Sequence, residues 1–495
     1  METSGADGPP SPEEKDLSSI AGSSYFFRYA RPRTRSRHAV LAALVTVMDE
    51  TERLAESIKE LLGSGRNDRL ADIVAAAHAA DVSSALRELP LGDQVRIFRL
   101  LSPEHAGAIL SELDDQTQVD LIRALDEQEV SRILDHMPSE HVVEVVEELP
   151  KEEADKILDL MEEEKSEEVQ ELLDYGEGTA GRLMSTRLVA VHEGTTVAQA
   201  IEHIRKSASG DDPFYLYVVD DHDHLVGLVP LRRLLTADPA TPVRLIRNED
   251  VESVTVDTDQ EEVARLVQRY NLREVPVVDG AHRLLGTISV DDVIDVIREE
   301  ATEDIQRLGG AAGDETVLDP PRAVLRMRLV WRLINLGTAV LAASVIGLFE
   351  SSIQALATLA VFMPIVASMG GIGTTQTATV VVRGIALGDM TAGVLLRVLR
   401  KELWLGATTG LVNGLVVAAI AYAWKGQVLL SCVLGVALWF NMLVAAVVGT
   451  LVPVALKTFR VDPAIASSVI ITTFTDVFGF FSFLGLATLL IRFLL

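Results

Sequence analysis

The stretch Ser468-Val-Ile-Ile-Thr472-Thr-Phe-Thr-Asp476-Val-Phe-Gly479-Phe-Phe481 is apolar enough to enter a bilayer, yet it carries a carboxylate. An ionised aspartate at the centre of a hydrocarbon layer costs at least about 2.5–3.5 kcal/mol, so it faces a polar path or a partner. Thr472 and Asp476 are four positions apart and share a helix face, and Gly479 follows nearly one turn later. Upstream, apolar stretches cover about 333–349, 354–372, 403–423 and 428–456, and the last runs over 464–491. Weaker apolar material lies between Thr377 and Leu387. At 1.5 Å per residue even the shortest stretch approaches the roughly 30 Å of a hydrocarbon core. The reading is a five-helix α transmembrane domain over residues 326–495.

Charge divides the chain at the same place. Of 44 Lys+Arg and 72 Asp+Glu, residues 321–495 hold 12 and 5. The remaining 32 and 67 give residues 1–320 a net charge near −35, against about +7 behind them. An acidic front excludes nucleic acid as a partner, because phosphate binding needs a basic surface. Cys432 is the one cysteine, so disulfides within a chain play no part. Residues 1–40 read as a flexible leader with a short basic run, Arg31, Arg33, Arg35 and Arg37. The apolar stretch Ala39–Met48 lies too far from Met1, and too close to Asp49 and Glu50, for a signal peptide.

Basic residues set the expected orientation. Arg322, Arg326, Arg328 and Arg332 open the first span, Arg383, Arg397, Arg400 and Lys401 lie between the second and third, and Lys457 and Arg460 between the fourth and fifth. With five spans these segments share one side, which the positive-inside rule makes cytoplasmic. The N-terminal region is then inside and the C-terminus outside.

The soluble region has two parts. Leu89, Leu101, Leu113, Leu125, Met137, Leu149 and Met161 recur every 12 positions, with turn-favouring residues close behind each of the first six. Helices of about eight to ten residues fit that period, and none buries an apolar side alone, so they stack as an all-α acidic helical solenoid over residues 41–180. Residues 184–297 hold a second repeat, Tyr217-Val-Val-Asp220…Leu225-Val-Gly227 echoed 59 positions later by Pro276-Val-Val-Asp279…Leu284-Leu-Gly286. Short β-branched strands alternate with helices in each copy. This part, bounded as 181–298, resembles a pair of cystathionine-β-synthase (CBS) domains, an α/β fold that often binds adenosine ligands between its copies. The family's Gly-x-x-Thr/Ser-x-x-Asp run survives as Gly286-Thr-Ile-Ser289-Val-Asp-Asp292, but the first copy has Gly227-Leu-Val-Pro230-Leu-Arg-Arg233. The resemblance therefore implies one site for ATP or another adenine nucleotide, at Ser289 and Asp292. The same two residues also read simply as a helix start.

An acidic connecting helix and linker, 299–325, follows. Asp291, Asp292, Asp295, Glu299, Glu300, Glu303 and Asp304 crowd this helix and the end of the CBS pair. Several are three or four apart, where like charges oppose one another, and cation binding or protonation would relieve that. In the membrane half, Gly370, Gly371 and Gly373 near Pro364 mark either a loosened helix or a tight crossing, and Asn441, Gly449 and Pro453 leave the same choice. Asp462-Pro463 fits the start of the fifth span.

Over about residues 70–495 the order of parts resembles the bacterial MgtE family of magnesium channels. That resemblance includes Tyr175-Gly-Glu-Gly-Thr179-Ala-Gly181 as well as the acidic repeat, CBS pair, acidic helix and five spans. It implies a homodimer in membrane lipid, with Mg²⁺ held near a paired Asp476 and bordered by Thr472. It also implies internal Mg²⁺ sensing by cytoplasmic acids, here Asp257, Asp259, Asp291, Asp295, Glu299, Glu300, Glu303 and Asp304. Two departures stand out. Family members usually end the second span Met-Gly-Gly-Asn, whereas this chain has Met369-Gly370-Gly371-Ile372, and they often carry an acid where Arg233 stands. The expected function is passive, voltage-driven Mg²⁺ uptake shut by cytoplasmic Mg²⁺, with no enzymatic activity. The alternative is a Na⁺- or H⁺-coupled divalent-metal transporter. No GxxxxGK[ST] loop is present to drive an ATP-powered pump.

Overall fold

The computed structural model describes residues 52–207, 214–311, 321–464 and 469–490, together with 313, 315–317 and 319. The expected leader and the stretch Ala39–Met48 lie outside the described residues. Two compact units divide the chain: one up to Met137 with Asp155–Met161, the other Pro138–Ala154 with the chain from Glu162 onward.

In the first unit, helices of eight to ten residues follow one another as Asn67–Ala76, Ala79–Leu86, Leu91–Phe98, Pro103–Leu110, Asp115–Ala124 and Glu127–Leu134. Short polar caps explain their brevity. Ser102 and Asp114 each accept a backbone N–H three residues on, and Asp126 with Glu129 forms a capping box. The structural period is two helices rather than one. Gln94 Nε2 donates to the Leu86 and Leu89 carbonyls at 2.9 and 3.0 Å, and 24 positions later Gln118 Nε2 does the same to Leu110 and Leu113 at 2.9 and 3.1 Å. Both amides are buried, and each one ties together two carbonyls where a short helix ends.

In the second unit, two three-stranded sheets repeat one another. β1 (Ala190–His192) pairs parallel with β2 (Tyr215–Val219), which pairs antiparallel with β3 (Leu225–Pro230). β4 (Val254–Thr255), β5 (Glu274–Val278) and β6 (Leu284–Ser289) repeat that order. The glycine of each repeat lets a crossing segment through. A Cβ on Gly286 would lie 2.7 Å from the Ser185 carbonyl oxygen, and one on Gly227 would lie 2.6 Å from that of Asn248. Ser185 accordingly bridges Thr287, and Asn248 bridges Leu228. Each copy is thus laced by the segment that leads into the other.

Five helices are long and apolar enough to cross a membrane: Pro321–Gly347, Thr358–Ala386, Ala392–Lys425, Val428–Thr458 and Val469–Leu489. They are called here the first to fifth membrane helices. The second is continuous through Pro364 and its glycines and takes in the weak segment from Thr377, so the loosened-helix reading gives way to the tight crossing. A separate short helix, Glu350–Ala355, precedes it. Leu359, Phe362 and Val366 of the second, Leu430, Leu434 and Ala437 of the fourth, and Phe483 and Leu484 of the fifth form a hydrophobic core. The first membrane helix stays almost wholly outward-facing, with Leu325, Leu329, Leu333 and Leu336 exposed.

Candidate functional site

Asp476 lies half-buried on the fifth membrane helix, and its carboxylate forms no hydrogen bond or ion pair among the described residues. One turn earlier, Thr472 Oγ1 donates to the Val469 carbonyl at 3.3 Å. A Cβ on Gly371 would stand 3.9 Å from Thr472 Cγ2, and one on Gly370 would stand 3.3 Å from Thr475 Cβ. The glycine run of the second helix and the Thr472 face of the fifth therefore meet. Asn441 of the fourth helix closes the junction. Fully buried, it donates from Nδ2 to the Val366 carbonyl at 3.0 Å, and its Oδ1 finds no donor among the described residues. Its amide fills the space that a side chain on Gly370 or Gly479 would need. Ile372, where the resembled family has asparagine, is exposed in the single chain. The segment Asp462-Pro463 leads toward the fifth helix, with Asp462 Oδ1 accepting the Ala464 N–H at 2.7 Å. Residues 465–468 lie outside the described residues.

The acidic helix begins at the CBS pair as expected, spanning Val290–Leu308. Asp291, Asp295 and Glu299 are exposed along it, while Glu300, Glu303 and Asp304 are half-buried near its end. Glu300 accepts from Gln260 Nε2 at 2.7 Å. Arg307 pairs with both Glu303 and Asp462, joining the helix to the segment before the fifth membrane helix. Burial, then the charges of Asp462 and Glu300, push the Asp304 carboxyl up to about 6. Asp304 thus sits half-buried beside like charges, an environment that disfavours its ionised form. A second link to the membrane half runs from Arg265 Nε to the Ala386 carbonyl at the end of the second membrane helix, at 3.1 Å.

Asp257 and Asp259 are exposed, and Asp259 immediately precedes Gln260, which donates to Glu300 of the connecting helix. Asp259 caps the helix Gln260–Tyr270, accepting the Glu261 N–H at 2.9 Å. Ser289 and Asp292 also act on each other. Ser289 Oγ takes the Asp292 N–H at 3.2 Å, and Asp292 Oδ2 takes both the Ser289 N–H at 3.1 Å and its hydroxyl at 2.7 Å. That capping box starts a helix of 19 residues. In the first copy Pro230 offers no side-chain cap, and the helix lasts six residues. Arg233, standing where Asp292 does, binds the Ile246 carbonyl at 3.0 Å and Asn248 Oδ1 at 2.6 Å.

Three groups escaped the sequence reading. His141, on the helix Ser139–Glu147, bonds to Glu144 at 3.3 Å and feels Glu140 and Asp292. The Glu144 bond raises its pKa to about 9 against burial, so it is a cation at neutral pH. Burial pushes the Glu140 and Asp292 carboxyls up in turn. Glu402, on the third membrane helix, is buried and accepts from Thr377 Oγ1 at 3.1 Å, with Lys401 at 3.2 Å. Gly406, Gly410 and Gly414, four apart, admit the fourth helix so closely that a Cβ on Gly414 would lie 2.7 Å from the Gly435 carbonyl oxygen. That last signal was legible as a small-residue repeat.

Together these features define a multi-pass membrane protein with a helical repeat domain, a CBS pair and an acidic helix leading to five membrane helices. Comparison with known proteins agrees. The family model described as "Divalent cation transporter" matches residues 363–486, "MgtE intracellular N domain" matches 77–178, and "CBS domain" matches 180–240 and 243–299. "Magnesium transporter MgtE" of Thermus thermophilus is 38% identical over 326 residues, 65% of this chain and 72% of that protein. Its namesake in Bacillus subtilis is 33% identical over 324 residues, with the same shares. A crystal structure of the cytosolic domain of the Mg²⁺ channel MgtE in complex with ATP is 34% identical, covering 49% of this chain and 99% of that one at a TM-score of 0.47. The chain belongs to the MgtE family of magnesium transporters.

Proposed function

We propose that the chain forms a homodimeric, passive Mg²⁺ channel, driven by membrane voltage and closed by cytoplasmic Mg²⁺ on its acidic regulatory region. The observation that carries this reading is Asp476: a half-buried carboxylate on an apolar helix, without a partner among the described residues and bordered by Thr472 and the Gly370–Gly371 crossing. Two such carboxylates facing each other in a dimer attract Mg²⁺ through its water shell and release it again without a full protein cage. An inward-negative potential contributes about 2.3 kcal/mol per elementary charge per 100 mV, or roughly twice that for a divalent ion. The outward-facing first membrane helix leaves apolar surface for lipid or a second subunit. Ile372 offers no side-chain oxygen to a hydrated ion, so selectivity over other divalent ions rests on fewer groups here than a Met-Gly-Gly-Asn ending would provide.

We assign 181–298 to the CBS pair, 299–325 to the connector and 326–495 to the pore. The contacts Arg265–Ala386 and Arg307–Asp462 support an orientation in which the ends of the second and fourth spans face the same side as the regulatory region. With the basic residues there, that side is cytoplasmic. Mg²⁺ among Glu300, Glu303, Asp304 and Asp462 would relieve the repulsion recorded by Asp304 and draw the acidic helix toward the pore, with Asp291, Asp295 and Glu299 adding to the local field. An adenine nucleotide at the second CBS copy rests on the Gly286–Asp292 motif; its binding would require the Ser289–Asp292 box to open or share its hydroxyl.

A coupled transporter is the second reading, favoured by Glu402, a buried membrane acid bonded to Thr377. Proteoliposome flux separates the two. Currents that follow the Mg²⁺ gradient and voltage, and ignore Na⁺ and pH gradients, establish the channel. Flux that collapses with the Na⁺ or H⁺ gradient establishes coupling instead.

A further inference from the structure

We infer that Asp220, His222 and His224, on the turn between β2 and β3, form a binding site for a borderline transition-metal dication of the Zn²⁺, Co²⁺ or Ni²⁺ class. One ligand atom from each lies within 4.8 Å of the others. Asp220 Oδ1 is fixed by the N–H groups of His222 and His224 at 2.8 and 2.9 Å, which leaves Oδ2 to face His224 Nδ1 at 3.0 Å. First-row dications hold nitrogen and oxygen ligands at about 2.0–2.2 Å, so two donors that far apart fit one ion at an angle of about 90°. The His222 ring stacks over that of His224, with centroids 5.9 Å apart and planes 23° from parallel. A small rotation about its side chain brings the third donor in, and water completes the shell. Two imidazoles and one carboxylate select borderline ions over Mg²⁺, which prefers oxygen alone.

The second CBS copy provides an internal control. Asp279 Oδ1 takes the N–H groups of Ala281 and Arg283 at 2.9 and 2.8 Å, and the Arg283 guanidinium donates to Oδ2 at 2.7 Å. The turn therefore needs only an aspartate and a donor to latch it, and arginine serves. His224 alone would be such a latch. His222 is what the latch does not require: it is exposed, and the second copy has Ala281 in its place. The ion would sit at the seam of the pair, because the Leu225 N–H reaches the His282 carbonyl and the Leu284 N–H that of Asp223, both at 3.1 Å. The site lies outside the acidic helix and the membrane half, so it adds a second class of ion to the one transported.

The test uses the full chain in detergent with millimolar Mg²⁺ present, so that oxygen-ligand sites are occupied. Co²⁺ is titrated and followed by its visible d–d absorption, with Zn²⁺ calorimetry alongside. The variant His222→Ala with His224→Arg copies the second copy's turn and keeps the latch; His222→Ala alone disturbs it least. The expected result is one Co²⁺ and Zn²⁺ site per chain, with nitrogen-ligand absorption, weakened at least tenfold by His222→Ala and abolished in the double variant. Wild-type protein that binds neither ion would overturn the assignment. So would a double variant that binds with unchanged affinity and stoichiometry.

Discussion

At the scale of the residue, Asp476 was legible because a carboxylate inside an apolar run is costly and therefore conspicuous. Asp476→Asn is nearly isosteric and removes the charge, so the protein should fold while Mg²⁺ flux through proteoliposomes falls at least tenfold, about 1.4 kcal/mol in barrier. Wild-type flux from a folded variant would remove Asp476 from the pathway. Gly479 gives a steric prediction. A methyl there would lie 2.7 Å from Asn441 Nδ2 and 3.2 Å from Val366 Cγ1, with Asn441 already buried and held by its bond to Val366. Gly479→Ala should cost about 1–3 kcal/mol by overpacking, seen as a lower melting temperature of the purified protein. An unchanged midpoint would mean that the junction is looser than it stands. Glu402 was not legible. It follows Lys401 in a segment whose charges read as flanking a membrane span, and only the packing of the second and third helices brings it to Thr377, 25 residues away.

At the scale of the element, periodicity carried most of the fold. The 12-residue marks gave the short helices, and the 59-residue echo gave two copies of one sheet. What periodicity could not give was which polar group closes which end. The paired glutamines that make the true unit two helices are buried amides at 24-residue spacing, and an amide reads as surface by hydropathy. The acids of the connecting helix were visible as a crowded face, yet their membrane-side partners, Arg307 and Asp462, lie 155 residues apart. His141 was passed over for the same reason, since a lone histidine in an acidic helix announces nothing until Glu144, Glu140 and Asp292 surround it. Its pKa of about 9 lies above the ordinary 6.5, so its stabilising charge is fully present below 6.5 and is lost as pH rises through 9. Hydrogen exchange in residues 139–147, corrected for the chemical exchange rate, should therefore show protection falling between neutral pH and above 9. In His141→Gln that dependence should vanish. A wild-type profile that stays flat over the same range would refute the imidazolium.

At the scale of the whole molecule, the decisive quantity is charge. The region before residue 321 carries about −35 against +7 behind it, and a dimer doubles the imbalance. On the proposed reading such a region would expand when divalent ions are scarce and contract as they bind, provided the contracted state binds them more tightly. The connecting helix would on the same reading turn that tendency into a gate, because its half-buried end touches the segment before the fifth membrane helix through Arg307 and Asp462. An acidic surface kept only for solubility would also be negative, and burial beside Asp462 and Glu300 holds Asp304 up at about 6 on either account. The two accounts differ under neutralisation. With Asp295→Asn, Glu299→Gln, Glu303→Gln and Asp304→Asn combined, a solubility surface gives unaltered gating. A brake gives channels that stay open as internal Mg²⁺ climbs through the millimolar range, the concentration for half-closure rising at least tenfold, which corresponds to about 1.4 kcal/mol of lost coupling. Single-channel recording from inside-out patches reads this directly, and Asp476 remains intact in the variant, so conductance at low Mg²⁺ should match wild type. If half-closure does not move while conductance holds, the acids of this helix are not the brake, and the closing force must come from the repeat domain or the CBS pair.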